Sequence, residues 1–366
     1  MTAKEKMAIP AQTMPEQDPV IRARNMNEVA LGYSAEQAKC EASRCLQCPT
    51  KPCMRGCPVA IDIPAFLKKA ATGDFTGALE IIRKTSLLPA VCGRVCPQEK
   101  QCQRFCTMGK ILKDVEKSVA IGRVERFCAD FAAANGVISP TPAPAARSGK
   151  RVAVIGTGPA SITCAAECAK NGYDVAMFEA FHKCGGVLVY GIPEFRLPKS
   201  VLDDFEYHHL VLKNIRVRPN TTIGAAITID DLFSDGYKSV YVGTGVWQPN
   251  TLHIKGETLG NVHFGINYLG NPDSFRLGET INVIGAGNAA MDVCRTALRK
   301  GVKHVNCFSL TEKVAATRHE FELALVEGVN FFYNKKDHSK FIFLPVSTWS
   351  GELEYWSSEI CESTSA

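Results

Sequence analysis

Three features that would assign the chain to a membrane, a secretory route or a nucleic acid are missing from its sequence. No uninterrupted apolar run reaches the roughly 18 residues that indicate a membrane-spanning helix. The first residues, MTAKEKMAIPAQTMPEQDP, lack the apolar centre of a signal peptide. The formal net charge of +5 is too small to indicate nucleic-acid binding by itself. We therefore expect a cytoplasmic protein with no membrane span and no nucleic-acid partner.

Cysteine, by contrast, is abundant, with 16 residues in a chain of 366. A chain of this length buries enough apolar surface to fold without disulfides, and it shows no export signal. The cysteines are therefore expected to be metal ligands or reduced thiols. Seven of them, all in the first third of the chain, have the spacing of cluster ligands: Cys45, Cys48, Cys53, Cys57, Cys96, Cys102 and Cys106.

The spacing of these seven cysteines is compatible with iron-sulfur clusters and with zinc. The first group reads C-x2-C-x4-C-x3-C-P, and the second, counted from Cys92, reads C-x3-C-P-x4-C-x3-C. Four thiolates bind a tetrahedral zinc ion or an iron-sulfur cluster equally well. The Cys-Pro pairs after Cys57 and Cys96 are typical of ferredoxins, and the paired C-x2-C motifs of a zinc ribbon are absent. The pattern therefore favours iron and leaves zinc as an alternative.

The remaining cysteines are interpreted as small buried hydrophobic residues. Cys164 and Cys168 form a C-x3-C pair within a predicted helix and lack the C-x-x-C turn of redox-active disulfides. A pyridine-nucleotide disulfide reductase is accordingly the least favoured alternative.

Hydrophobic periodicity divides the chain into a helical part and an α/β part. After a polar arm of about 33 residues, helices are predicted at Ala35–Leu46, following a Ser34/Gln37 capping box, and at 64–71, 75–83 and 115–133. A proline-rich linker follows at 139–149, after which strands alternate with helices. Predicted strands at 151–155, 174–178 and 280–284 indicate a parallel α/β architecture.

The first predicted strand leads into a dinucleotide-binding loop. Gly156 permits a tight turn, Gly158 allows the backbone to approach a pyrophosphate, and Glu179 ends the next strand, where it can bind ribose hydroxyls. Pro159 and Ala160 open the following helix, and Ser161 replaces the third glycine of the fingerprint with another small residue. The context of strand, loop, helix and acid favours a nucleotide site over a simple glycine turn.

A second loop of the same kind follows the strand at 280–284. Its residues Gly285, Gly287, Asn288 and Ala289 match G-x-G-x-x-A less closely. The next strand ends at Phe308 to Glu312 without a clear ribose-binding acid or a basic pair for a 2′-phosphate. The loop predicts a second nucleotide site and leaves the choice between NADH and NADPH open.

Taken together, these motifs resemble the small (beta) subunit of NAD(P)H-dependent glutamate synthase. The same family includes the N-terminal half of dihydropyrimidine dehydrogenase and the flavin subunits of ferredoxin:NADP oxidoreductases. The resemblance is carried by the motifs RCLQC at 44–48, CPVAIDI at 57–63, CGRVCP at 92–97, IGRVERF at 121–127, YGIPEFRLP at 190–198, GTG at 243–245 and GAGNAAMD at 285–292.

The resemblance implies two 4Fe-4S clusters, FAD in the first nucleotide domain and NADPH or NADH in the second. It implies a first cluster on Cys45, Cys48, Cys53 and Cys106, and a second on Cys57, Cys96, Cys102 and Glu125. It also places Gly186, Arg196 and Gly245 at the flavin, where the positive charge of Arg196 would stabilise the reduced, anionic flavin. No catalytic acid, base or nucleophile is expected, because the cofactors carry the chemistry.

Two departures from the family pattern qualify these expectations. Uncharged Leu310 and Thr311 stand where NADP-using relatives carry a basic pair, although Lys313 or Arg318 could substitute. The segment that closes the FAD domain in the family is not recognisable, and from about Tyr333 the sequence diverges as in a truncation or frameshift.

The expected architecture is α/β with an N-terminal all-α iron-sulfur domain and two Rossmann-like nucleotide-binding domains, the first incomplete. The expected domains are residues 1–147, 148–248 and 249–366. The expected function is electron transfer from NAD(P)H through FAD and two clusters to a partner such as a glutamate synthase large subunit or ferredoxin. The alternatives are a cluster-binding fragment without full oxidoreductase activity and a zinc-stabilised nucleotide-binding module.

Overall fold

The computed structural model describes residues 1–136, 146–206 and 215–334, and the side chains of residues 204–206 are left out. Most of the predicted linker and of the divergent tail lies outside these residues. The chain forms two compact units. One contains Met1–Asp18 with Met26–Trp247, and the other contains Pro19–Asn25 with the chain from Gln248 onward.

Short helices make up the described residues up to 136, as the sequence predicts. They are Ala3–Ala8 (α1), Pro19–Arg22 (α2), Ala35–Ser43 (α3), Pro52–Arg55 (α4), Ile63–Ala71 (α5), Phe75–Arg83 (α6), Pro89–Val95 (α7), Thr107–Ile111 (α8) and Ile121–Ala134 (α9). Short 3-10 turns lie at Gln103–Phe105 and Val115–Lys117. The helix predicted at 115–133 is therefore divided, because Ser118 and Ala120 adopt non-helical backbone angles before α9 begins.

Side-chain caps fix where several of these helices begin. Ser34 and Gln37 form the reciprocal capping box expected before α3. Asp62 and Asp74 accept hydrogen bonds from Ala65 N and Gly77 N at the starts of α5 and α6. The apolar faces of α5, α6 and α9 share one core, in which Phe66, Leu79, Ile82 and Val124 are buried.

A four-stranded parallel sheet follows in the same unit, with strand order β3-β2-β1-β4. Its elements are Arg151–Ile155 (β1), Pro159–Lys170 (α10), Asp174–Phe178 (β2), Val187–Tyr190 (α11), Ser200–Glu206 (α12), Arg216–Arg218 (β3), Ile229–Ser234 (α13) and Tyr237–Val242 (β4). Side chains of β1 alternate between two apolar clusters: Val152 and Val154 pack with Ile162, while Ala153 and Ile155 pack with Phe178.

The second unit contains a three-stranded parallel sheet with order β5-β6-β7. Its elements are Gly265–Gly270 (α14), a 3-10 turn at Pro272–Ser274, Thr280–Ile284 (β5), Asn288–Arg299 (α15), His304–Phe308 (β6), Arg318–Val326 (α16) and Asn330–Phe332 (β7). A buried ion network joins α15 to the end of α16, because Arg295 and Arg299 both donate to Glu327. Arg22 of α2 also contacts Glu327, at 3.0 Å.

Candidate functional site

Three thiols of the first cysteine group and one thiol of the second group line one cavity. Cys45 follows α3, Cys48 lies in the next loop, Cys53 lies in α4 and Cys106 is the N-cap of α8. The walls are largely apolar and include Ile63, Leu67, Met108, Val119 and Ile121. The structure therefore brings Cys106 of the second cysteine group to the first group, which is the arrangement that the family resemblance implies.

Two of the four thiols, Cys45 and Cys53, are in an environment that opposes their ionisation. Burial, followed by the charges of Cys45 and Cys106, raises the pKa of Cys53 to about 12. Burial likewise raises the pKa of Cys45. Since each thiolate opposes the ionisation of the next, a positive metal centre in the cavity is what would favour the charged forms. The donor set thus fits a soft metal cluster held by four cysteines.

Buried polar contacts hold the backbone beside Cys45. Glu41 accepts hydrogen bonds from Arg44 Nη1 at 2.5 Å and from Ala120 N at 2.8 Å. Arg44 also donates to the carbonyl oxygens of Lys117 and Ser118, at 2.7 and 3.1 Å. These bonds tie the end of α3 to the segment before α9. They fix where the first cysteine enters the cavity.

The second predicted ligand set contains a buried carboxylate. Glu125 Oε1 has no hydrogen-bond partner, and burial raises the pKa of this group well above its ordinary value. Burial, then the charges of Glu125 and Cys57, raise the pKa of Cys102. Cys102, Cys57 and Glu125 therefore lie within electrostatic reach of one another. An unpartnered buried carboxylate beside thiols fits a metal ligand better than the solvated helix residue that the sequence alone suggested.

Cys96, the fourth predicted member of this set, interacts with a thiol that the sequence interpretation left out. The neighbouring Cys96 thiol, followed by burial, raises the pKa of Cys92, and burial followed by the charge of Cys92 raises the pKa of Glu125. The four-residue spacing of Cys92, in α7, and Cys96, the residue that caps the end of α7, was the available signal in the sequence. Within the described residues, no three His, Cys, Asp or Glu side chains form a group that could hold a single metal ion.

A salt-bridge network that the sequence did not reveal joins α7 to α9. Arg94 donates to Glu28 at 2.7 Å and to Asp130 at 2.8 Å, and Arg126 contacts the same two carboxylates at 3.1 and 3.2 Å. A Cβ on Gly93 would lie 2.7 Å from Arg126 N, so the two helices touch at that glycine. The network therefore positions α7, which contains Cys92 and ends at the residue before Cys96, against α9, which contains Glu125.

The first nucleotide loop has the geometry that its sequence predicts. Gly156 has φ +93°, and a Cβ there would meet Gly243 O at 2.5 Å. Gly158 is the N-cap of α10, Pro159 and Ala160 take the first helical positions, and a Cβ on Gly158 would meet nothing within 4 Å. The space beside Gly158 fits a pyrophosphate at a helix N-terminus. Ser161 donates to Gly243 O at 3.0 Å, which gives a physical reason for serine at the third position.

Glu179 lies at the end of β2 beside this loop, but it is already engaged there. Its carboxylate accepts hydrogen bonds from Thr157 N at 3.0 Å, from the Thr157 hydroxyl, and from Phe181 N at 2.8 Å. A carboxylate offers about four lone-pair sites, so one acceptor site remains for a ribose hydroxyl. Glu179 thus also shapes the loop, a role that the sequence did not indicate.

The other residues implied at the flavin lie near this loop or in the segment that follows it. A Cβ on Gly186 would lie 3.0 Å from Gly158 Cα, and Gly245 has φ +75°. Arg196 is half-buried in a segment held by Lys199 Nζ, which donates to the Leu188 and Ile192 carbonyls at 2.8 and 2.5 Å. Three aromatic rings that the sequence did not single out form a cluster beyond Glu179: Phe181, Tyr190 and Trp247.

The second nucleotide loop, in the other unit, shows the same features. Gly285 has φ +105°, and a Cβ on Gly287, the N-cap of α15, would meet nothing within 4 Å. Asn288 Oδ1 accepts from Thr317 N at 2.8 Å, and Ala289 is exposed at the start of the helix.

The residues after β6 bear on coenzyme choice. Thr311 donates to Lys313 O at 2.6 Å, and the Arg318 guanidinium donates to Glu322 at 2.7 Å. Of the two cations that could replace the missing basic pair, Arg318 is thus already paired with an acid.

Comparison with known proteins agrees with this geometry. Residues 22–137 match the family described as Dihydropyrimidine dehydrogenase domain II, 4Fe-4S cluster, and residues 150–335 match Pyridine nucleotide-disulphide oxidoreductase. The chain is 35% identical over 330 residues to the glutamate synthase [NADPH] small chain of Escherichia coli K12, covering 86% of this chain and 68% of that protein. The chain belongs to the glutamate synthase small chain family.

A second member, the glutamate synthase [NADPH] small chain of Azospirillum brasilense, is 33% identical over 341 residues, covering 88% of this chain and 70% of that protein. Among solved structures, a 2-naphthoyl-CoA reductase complex aligns with a TM-score of 0.47 at 18% identity, covering 76% of this chain and 38% of that chain.

Membership of the glutamate synthase small chain family confirms several expectations from the sequence. The chain is an oxidoreductase with an N-terminal 4Fe-4S domain, followed by an α/β pyridine-nucleotide oxidoreductase region with parallel sheets. None of the helices in the described ranges is long and apolar enough to cross a membrane.

Proposed function

We propose that this family member passes electrons from NADPH or NADH through FAD and two 4Fe-4S clusters to a partner protein. The observation that carries the proposal is the cavity lined by Cys45, Cys48, Cys53 and Cys106. Cys106 is at least 53 residues from the other three thiols in sequence, and its presence in the same apolar pocket is what a shared centre bound by all four would require. The partner we favour is a glutamate synthase large subunit or a ferredoxin. We also infer a cytoplasmic location, which the free thiols support.

The proposed roles of the residues follow from their places in the fold. When bound, the flavin and the clusters supply hydride acceptance and one-electron transfer. The first four thiolates hold one cluster, and Cys57, Cys96, Cys102 and Glu125 hold the other. The loops at Gly156 and Gly285 bind the pyrophosphates of FAD and of the nicotinamide coenzyme at helix N-termini. The boundaries 1–147, 148–248 and 249–366 remain our proposal for the three domains.

The surroundings of the second loop favour NADH over NADPH. Leu310 and Thr311 are uncharged, and Arg318 donates to Glu322, so a 2′-phosphate would compete with an existing ion pair. We expect a higher kcat/KM for NADH. A preference for NADPH that disappears in Lys313→Ala would show that Lys313 substitutes for the missing pair.

The decisive experiment is anaerobic purification followed by quantification of iron, sulfide and FAD in one sample. The proposal expects about eight iron atoms per chain, broad visible absorbance and about one FAD. Addition of NADH should bleach both the flavin and the cluster absorbance. Colourless protein, or zinc in place of iron, would refute the proposal.

A cluster-binding fragment with weak FAD affinity is the second candidate. Among the described residues, β4 is an edge strand of its sheet, and Val242 and Val246 are 59% and 97% exposed. Exposed apolar side chains at this position favour a flavin domain whose sheet is not closed. Iron at the expected level with FAD well below one per chain would support this candidate.

A further inference from the structure

The thiol-lined cavity lies behind a basic surface depression. This depression, here called the basic basin, is lined by Glu99, Lys100, Arg104, Gly109, Lys110, Lys113, Asp114, Val115 and Ser118. Four of these side chains are cationic and exposed, whereas two are acidic. No ion pair within the described residues joins Arg104, Lys110 or Lys113 to a carboxylate. The basin therefore presents unneutralised positive charge to solvent.

The wall between the cavity and the basin is one residue thick at two points. Met108 lines the cavity, and the next residue, Gly109, lines the basin. Ser118 lines the basin, and the next residue, Val119, lines the cavity. Consecutive Cα atoms are about 3.8 Å apart. A redox centre bound by the four thiols would thus be separated from the basin by a single layer of backbone.

This wall is tightly packed. A Cβ on Gly109 would lie 2.1 Å from Ser118 Oγ, so the two residues touch, and Ser118 donates to Gln103 O at 3.0 Å. The loop between them is closed by Asp114 N, which donates to Gly109 O at 3.0 Å. Val115, 37% exposed, lines the basin, and Ile111, 52% exposed, is the last residue of α8, four residues before it. Exposed apolar side chains within a charged rim are typical of a protein interface.

From these observations we infer that the basic basin is the docking site of a small acidic iron-sulfur protein, which exchanges single electrons with the cluster in the Cys45, Cys48, Cys53 and Cys106 cavity. The inference rests on the proposed function and names the surface and the charge of its partner. A cluster held by the four thiols would supply one-electron reduction of the partner's oxidised cluster, with no bond or proton transferred. Lys and Arg would steer the acidic partner by long-range attraction, which salt screens.

The test compares two variants with the same change in charge. Lys110→Glu/Lys113→Glu reverses the basin, and Lys39→Glu/Lys84→Glu reverses two exposed lysines elsewhere in the helical part. Binding of an oxidised acidic plant-type ferredoxin to each oxidised holoprotein is measured by calorimetry over about 0.05 to 0.5 M salt. We expect the basin variant to bind about tenfold more weakly at low salt and the control variant to stay within about twofold. All variants should reduce the small neutral acceptor menadione equally.

The outcomes distinguish a failure of the proposed function from a failure of the docking site. If the wild type neither reduces menadione nor shows cluster absorbance, the proposed function is refuted, whether or not ferredoxin binds. Normal menadione reduction with no ferredoxin binding, or with equal binding by both variants, would overturn the docking site alone. Polyglutamate binding as tightly as ferredoxin would also overturn it, because charge alone would then explain the affinity.

Discussion

Glu327 is the residue whose loss should most weaken the second unit. Its side chain is inaccessible to solvent and meets Arg295 at 3.0 Å, Arg299 at 2.6 Å and Arg22 at 3.0 Å. Glu327→Gln keeps the shape and leaves three buried guanidiniums with one fewer carboxylate. Breaking a buried pair by removing one partner costs about 3–5 kcal/mol. Because the glutamine amide oxygen still accepts hydrogen bonds, we expect the free energy of local unfolding to fall by about 3 kcal/mol. This corresponds to a roughly hundredfold larger population of the locally open state.

Hydrogen exchange of the amides in α15 and α16 measures this opening directly, without assuming that the whole chain unfolds in one step. Glu322→Gln is the matched control, because Glu322 pairs with Arg318 on the surface, where the two side chains are 52% and 65% exposed. Removing this surface ion pair should lower the free energy of local unfolding by less than about 1 kcal/mol. An effect of Glu327→Gln below about 1 kcal/mol, or equal to that of the control, would refute the reasoning.

The pH dependence gives a second check on the same residue. Burial alone would raise the pKa of Glu327, but hydrogen bonds from Arg299 and Arg295 outweigh it and hold the pKa below its ordinary value. A lowered folded pKa stabilises the protein above the ordinary carboxylate pKa, and this contribution is lost as pH falls through the lowered value. Glu327→Gln should therefore lack this acid-dependent loss of exchange protection. A variant with an acid dependence as steep as the wild type would contradict the assignment.

Two further predictions concern the cofactor sites. If ligation is crossed, Cys53→Ser/Cys106→Ser loses no more iron than either single variant, about four atoms, because both thiols hold one cluster. Cys102→Ser/Cys106→Ser then loses about eight atoms, and the reverse pattern in the two double variants would show that ligation is not crossed. Gly158→Ala should leave thermal stability unchanged, because the added Cβ enters open space, but it should weaken FAD binding at least tenfold, because that space is where we place the pyrophosphate. Gly156→Ala should instead destabilise the protein by about 1–3 kcal/mol, because φ is +93° and the added Cβ would lie 2.5 Å from Gly243 O. Equal melting temperatures of the two glycine variants in flavin-free protein would contradict this distinction.

Elements with strong local patterns were predictable from the sequence. Strands β1, β2 and β5 and helix α6 have the predicted bounds, because uninterrupted apolar runs and helical spacing identify them without tertiary information. Helix α7 was missed, since its sequence, PAVCGRV, is short and contains a glycine that lowers helix propensity. It forms because Gly93 allows α7 to approach α9 closely.

The sequence by itself determined the residue types of the site: soft ligands in two groups, then two glycine loops that follow strands. Those signals are local, since a loop after a strand and a run of cysteines can be recognised within about twenty residues. Only the tertiary structure showed Cys106 in one cavity with Cys45, buried Glu125 Oε1 without a hydrogen-bond partner within electrostatic reach of Cys102, and joined Glu28 to α7 and α9. Such contacts join residues far apart in the chain, and their energies depend on burial, which spacing does not encode.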